Sequence, residues 1–120
     1  MKLAITALIM SLQEDMENTI ESLHTADTLA KVKSRLNWFL GKLSAIDNLV
    51  NVAFDLSERE EDELEYAKYK MLRKVYEQAR HGFARHADEM TAEENAEIMQ
   101  KINDCVREIN SELKDIESRL

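Results

Sequence analysis

The sequence predicts an all-α protein: a four-helix antiparallel bundle with up-down-up-down topology and long, coiled-coil-like helices. Three observations support this prediction. The chain has no proline and only two glycines in 120 residues, so it lacks the turn residues that a sheet protein of this length needs. Apolar residues recur at alternating steps of three and four, as in packed helices. Short polar breaks separate these segments, and short connections favour antiparallel neighbours.

The strongest pattern runs from about Asp27 to Leu56 and predicts the second helix. One apolar stripe in this segment comprises Leu29, Val32, Leu36, Phe39, Leu43, Ile46, Val50 and Ala53. Leu40 and Leu49 widen the stripe, so it is too broad for a two-stranded coil and needs several helices around it. Gly41 lies inside this helix, where glycine costs about 1 kcal/mol relative to alanine. It indicates either a close helix–helix approach or simple tolerance.

The first helix is predicted from about Leu3 to Leu23. Its first half is apolar on nearly every side, so other helices or another subunit must cover it. A lysine and a short apolar run at the start resemble a secretory leader, but no small-residue cleavage site follows, which favours an ordinary core helix. Thr25, Asp27 and Thr28 are each candidate caps for the second helix.

Two capping boxes predict the starts of the third and fourth helices, with Ser57 followed by Glu60 and Thr91 followed by Glu94. Gly82 is a candidate terminator or kink near the end of the third helix. Residues 83–90 are then either continued helix or connector. The fourth helix runs almost to Leu120.

The fourth helix carries an apolar stripe that nearly matches that of the second. We expect these two stripes to lie against each other, with Phe39, Ile46, Ile109 and Leu113 pointing inside.

Length and composition predict a single domain over residues 1–120. The single cysteine, Cys105, excludes an internal disulfide and is interpreted as a small buried apolar residue in a protein of the reducing cytoplasm. The N-terminal apolar run is too short to span a bilayer. The net charge of -8 opposes general affinity for nucleic acid.

A stripe of aromatic and cationic residues on the third helix is the candidate partner-binding surface. It comprises Tyr69, Arg73, Tyr76 and Arg80. Tyrosine and arginine dominate interface hot spots, so the stripe predicts a protein partner. The same residues could stack bases and neutralise phosphates, which makes a nucleic-acid-binding module an alternative. A purely structural interpretation is also open, because cations near a helix C-terminus complement its dipole.

The chain lacks the residue patterns of the common metal and cofactor sites. Glu21 and His24 have the Glu-x-x-His spacing of di-metal bundles, but such sites need two pairs and the sequence has one. Glycine-rich phosphate loops, Ser-His-Asp patterns and CxxC motifs are missing. We therefore expect neither a metal nor a cofactor.

The segment Arg80-His81-Gly82-Phe83-Ala84-Arg85-His86 places five residues between an arginine and a histidine, late in a helical domain. This arrangement resembles the signature of the HEPN superfamily, many of whose members are metal-independent ribonucleases. The resemblance implies a cleft between two subunits in which Arg80 steadies the phosphate and His86 transfers a proton. His81 would replace the polar residue that often follows the arginine.

Taken together, these patterns favour a small cytoplasmic interaction protein without enzymatic activity, acting as an adaptor, chaperone or inhibitor of another protein. A homodimer is expected, because the first helix has more apolar faces than three partner helices can cover. A HEPN-like ribonuclease and a nucleic-acid-binding module are the alternatives.

Overall fold

Four long helices make up most of the computed structural model, which describes the backbone of residues 2–120 and the side chains of residues 5–120. They are α1 (Lys2–His24), α2 (Leu29–Ala53), α3 (Glu58–Arg85) and α4 (Ala92–Arg119). A 3-10 turn, Ala87–Glu89, precedes α4, and no strand occurs within residues 2–120. The all-α four-helix bundle is confirmed. It is elongated, measuring 48 × 26 × 20 Å.

Side-chain caps start three of the helices. Thr28 accepts a hydrogen bond from the Lys31 amide and is the cap that begins α2. At the start of α3, the amide of Glu60 donates to Ser57 Oγ at 3.2 Å and the amide of Ser57 donates back to Glu60 Oε1 at 3.1 Å. Thr91 forms the same capping box at the start of α4. Both predicted boxes are confirmed.

The ends of α2 and α3 differ from the sequence prediction. α2 stops at Ala53, not near Leu56, because Phe54 takes an extended conformation and begins the link to α3. α3 continues through Gly82 and ends at Arg85, so Gly82 does not terminate the helix. Residues 83–90 contain both predicted alternatives, since the helix continues briefly and the 3-10 turn then connects to α4.

Helix α3 is the shared packing partner of the bundle. It packs against α4, α1 and α2, and α1 also packs against α2. Within residues 2–120, the backbones of α2 and α4 do not approach as closely as those of packed neighbouring helices, so the expected direct pairing of their stripes is wrong. Phe39, Ile109 and Leu113 are buried and Ile46 is partly buried, as expected. The surfaces that bury them belong mainly to α3 and α1, because α3 lies between α2 and α4.

The glycine that lies in close helix contact is Gly82, not Gly41. A Cβ atom built on Gly82 would lie 3.2 Å from Cγ1 of the fully buried Val32, across the α2–α3 contact. A Cβ atom on Gly41 would meet nothing within 4 Å. Within the bundle, a close approach of two helices therefore favours glycine at position 82 and not at position 41.

Alanine substitution should affect the two glycines in opposite directions. Gly82→Ala should lower the free energy of unfolding by about 1 kcal/mol, because overpacking against the stiff Val32 side chain outweighs the gain in helix propensity. Gly41→Ala should raise it by about 1 kcal/mol, because only the propensity changes. Urea unfolding at low protein concentration measures both. A stabilising Gly82→Ala substitution would contradict the close packing.

Candidate functional site

The predicted Tyr/Arg stripe of α3 divides between two environments. Arg73 Nη1 donates to Oδ1 of Asn110 at 2.8 Å, and Arg80 Nη1 donates to Oδ1 of Asn103 at 2.9 Å. One heptad before Arg73, the Tyr66 hydroxyl donates to a carboxylate oxygen of α4 at 2.9 Å. The donors on α3 and their acceptors on α4 are both spaced by seven residues. The two arginines therefore help to hold α4 against α3.

The two tyrosines of the stripe lie instead in a groove between α2 and α4. Three depressions of about 370, 380 and 320 Å³ share lining residues and form this α2–α4 groove. Its floor is the α3 surface formed by Tyr69, Leu72 and Tyr76. The apolar walls are formed by Leu36, Leu40 and Leu43 of α2 and by Ile98, Ile102, Cys105 and Ile109 of α4. The groove exists because α3 holds the two wall helices apart.

Opposite charges line the two ends of the α2–α4 groove. Lys33 and Lys101 line the end nearest Phe83. Four carboxylates, contributed by Asp47, Glu65, Glu108 and Glu112, line the other end. Among the described residues that line this end, Lys68 is the single cation. A bound molecule would therefore meet positive potential at one end and negative potential at the other.

Lys68 fastens α2 to α3 beneath the acidic end of the groove. Its ammonium group lies 2.8 Å from Glu65 Oε1 and forms a second ion pair with Asp47. Burial acts to lower the pKa of Lys68, but the hydrogen bonds to the two carboxylates outweigh it and hold the pKa above its ordinary value. Lys68 therefore has a structural role, in which it joins α2 to α3. Its single positive charge does not neutralise the four carboxylates, so the acidic end keeps a net negative charge.

The hydroxyl groups of the groove floor stay protonated near neutral pH. Burial, together with the neighbouring Cys105 thiol, raises the pKa of Tyr76 to about 12. Burial also raises the pKa of Tyr69, and Glu65 and Glu112 add to the effect. Both tyrosines can therefore donate and accept hydrogen bonds beside an apolar surface. Cys105 was expected to be buried, but it is partly exposed in the groove wall.

The two residues of the HEPN-like motif have separate structural partners. Arg80 bonds to α4, as described above. His86 Nε2 donates to the carbonyl oxygen of Ala26 at 2.9 Å, and its Nδ1 lies 2.7 Å from Glu89 Oε2. Arg85 donates to the carbonyl oxygen of Leu23 at 2.8 Å. Arg85 and His86 thus bond to carbonyl groups at and just beyond the end of α1, a position that favours cations. The ribonuclease roles of Arg80 and His86 stay predictions.

Glu21 and His24, which have the Glu-x-x-His spacing of di-metal bundles, do not form part of a metal-binding cluster in the described region. His24 Nε2 lies 2.6 Å from Gln78 Oε1 of α3. Among the residues whose placement is described, no group of three or more His, Cys, Asp or Glu side chains could hold a metal ion. In that same region no helix has the length and apolar character needed to cross a membrane.

Sequence reasoning found the tyrosines of the groove but missed its walls. Leu40 fits the apolar stripe of the second helix and Cys105 is predicted to be buried, because periodicity alone does not show which helix covers a side chain. The positions of Asn103 and Asn110 in the sequence could have indicated the pairing of α4 with α3. Their seven-residue spacing matches that of Arg73 and Arg80 and indicates an antiparallel ladder.

No known protein family, characterised protein or solved structure matches this chain. The α2–α4 groove and the surfaces around it are therefore the features from which a function can be inferred.

Tyr76→Phe should remove one tyrosine titration step near pH 12. Because the raised pKa of Tyr76 belongs to the folded state, its contribution to stability is complete below about pH 10 and is lost as the pH rises towards 12. Tyrosinate absorbance at 295 nm measures this step, and in urea all three tyrosines should titrate near pH 10. A wild-type chain whose three tyrosines titrate near pH 10 while folded would contradict the half-buried position of Tyr76.

His86→Ala should lower the free energy of unfolding by about 1–2 kcal/mol, because it leaves the Ala26 carbonyl and Glu89 without their shared partner. His81→Ala is the matched control, since His81 is exposed, and it should change stability by less than about 0.5 kcal/mol. Chemical unfolding measures both. Unchanged stability with loss of RNA cleavage in His86→Ala would instead support the ribonuclease interpretation.

Proposed function

We propose that this chain is a protein–protein interaction module that binds an amphipathic helix of another protein in the α2–α4 groove. It would act as an adaptor, chaperone or inhibitor of that partner and would not itself perform catalysis. A cytoplasmic setting, favoured by the single cysteine, is part of the proposal.

The composition and shape of the α2–α4 groove are the main support for this proposal. An apolar floor and walls are bordered by charged residues, which is the arrangement of surfaces that bind the apolar face of a helix. Tyr69 and Tyr76 lie at its centre, and tyrosine is enriched among residues that dominate binding energy. The α4 wall from Lys101 to Glu112 is about 16 Å long at 1.5 Å per residue, which matches three turns of a bound helix.

The charges at the ends of the groove favour one orientation of the partner. Helices commonly carry carboxylates near the N-terminus and cations near the C-terminus, because these complement the helix dipole. Such a helix would place its N-terminus near Lys33 and Lys101 and its C-terminus near Glu108 and Glu112. It would then run parallel to α2 and α4 and antiparallel to α3. Complementary charges would also make association faster at low salt.

A displayed library of helical peptides tests this proposal with defined ligands. We expect selected peptides to carry an apolar stripe, acidic first turns and basic last turns. Leu72→Glu should weaken their binding more than about tenfold, because it places a carboxylate on the apolar floor of the groove.

Leu49→Glu is the matched control, because Leu49 is an exposed leucine outside the groove. It should leave peptide affinity unchanged, and circular dichroism should confirm that both variants fold. Equal affinity of Leu72→Glu and wild type, or selected peptides without helical periodicity, would contradict the proposed groove.

The two alternatives can be tested on the same protein. Cleavage of single-stranded RNA that is lost in Arg80→Ala and in His86→Ala, with the fold retained, would establish the ribonuclease in place of our proposal. Nucleic-acid binding with a steep salt dependence, lost in Arg73→Ala, would establish the nucleic-acid-binding module. Our proposal predicts neither result.

A further inference from the structure

The outer face of α2 carries a second apolar stripe, which the rest of the described chain covers only in part. Trp38, Leu49 and Val52 are exposed to 48%, 45% and 87%, respectively. Gly41 and Ala45 lie between them on the same face and are also exposed. We call these five residues the α2 outer stripe. None of them lines the α2–α4 groove, so the two surfaces are separate.

This stripe replaces α1 as the candidate subunit contact. The sequence suggested that the apolar first half of α1 would form a dimer interface. Ile5 is buried and Leu8 and Ile9 are partly buried in the bundle, which leaves Met10 as the large exposed apolar residue among the described side chains of α1. Leu3 and Ala4 belong to the same prediction, but their side chains lie outside the described residues.

The spacing of the α2 outer stripe is symmetric about its centre. From Trp38 to Val52 the intervals are three, four, four and three residues, with Ala45 in the middle. An antiparallel pair of such helices with Ala45 on a two-fold axis would bring Trp38 opposite Val52 of the second copy. It would likewise bring Gly41 opposite Leu49 of the second copy. Every residue of the stripe would have an apolar partner in an isologous contact.

Gly41 has a role in such a pair that it lacks in the single chain. In the bundle, a Cβ atom at this position would meet nothing within 4 Å, although glycine weakens the interior of a helix. In the antiparallel pair, the open space at Gly41 would receive the side chain of Leu49 from the second copy. Small residues at Gly41 and Ala45 would also allow the two backbones to approach closely.

The charges on α2 oppose a parallel pair. Residues 28–42 carry four cations and no carboxylate, whereas residues 48–53, the last part of α2, carry no charged side chain. A parallel pair would bring the two cationic segments together, which opposes association. A two-fold axis through Ala45 instead places the cationic segment of each α2 towards the uncharged end of the other.

We propose that this chain forms a homodimer through antiparallel packing of the α2 outer stripe against that of a second copy, with Ala45 at the two-fold axis.

Sedimentation equilibrium over a range of protein concentrations tests the interface. Wild type should be dimeric, and Ala45→Glu should be monomeric, because two carboxylates would meet at the axis. Gly41→Leu should raise the dissociation constant more than about tenfold by filling the space for Leu49. Asn51→Glu, on another side of α2, is the matched control and should remain dimeric. A monomeric wild type, or a dimer unaffected by Ala45→Glu, would overturn the proposal.

Disulfide trapping in a Cys105→Ser background tests the orientation. Two Ala45→Cys chains should form a disulfide with each other through position 45, since residues at the axis lie within disulfide range when helices approach closely. Val52→Cys should not link to itself but should link to a chain carrying Trp38→Cys. Efficient self-linking of Val52→Cys would overturn the antiparallel arrangement. Peptide binding in the α2–α4 groove should persist in the Ala45→Glu monomer, which separates this proposal from the proposed function.

Discussion

The central position of α3 is the constraint on which the rest of this structure depends. One side of this helix packs through Met71 against α1, another approaches α2 through Gly82 and the Lys68 ion pairs, and a third packs against α4. A helix that occupies the middle of a bundle keeps its neighbours apart. The separation of α2 from α4, and hence the α2–α4 groove, follows from that position.

The groove therefore differs from a gap left by loose packing. Its floor belongs to the helix with the most partners, and Arg73 and Arg80 hold α4 in place along one edge. A preformed groove would lose little conformational entropy on binding the proposed partner helix, which would favour affinity for a given contact area. The α2 outer stripe lies on another side of the molecule, so the proposed partner and the proposed second copy would not compete for one surface.

The sequence predicted the helices and their starts well because these depend on local chemistry. Two capping boxes and the three-four spacing are signals within a few residues of the structures they form. The packing partners were not predictable in the same way. Periodicity identified Phe39 and Ile109 as buried, but it could not show that α3 separates them. The tyrosines and the arginines of the predicted Tyr/Arg stripe lie in different environments for a related reason. Tyr69 and Tyr76 share one heptad position, and Arg73 and Arg80 share another that faces the edge of α4.

Methyl NOE spectroscopy on an isoleucine-labelled and leucine-labelled sample tests the central position of α3 most directly. Ile46 of α2 and Ile109 of α4 lie on the two stripes that the sequence alone would pair. We predict cross-peaks from Ile109 to Leu72 of α3, beside which it lines the groove, and no cross-peak between Ile46 and Ile109. A strong direct cross-peak between Ile46 and Ile109 would show that α2 and α4 pack together and that the groove between them is closed.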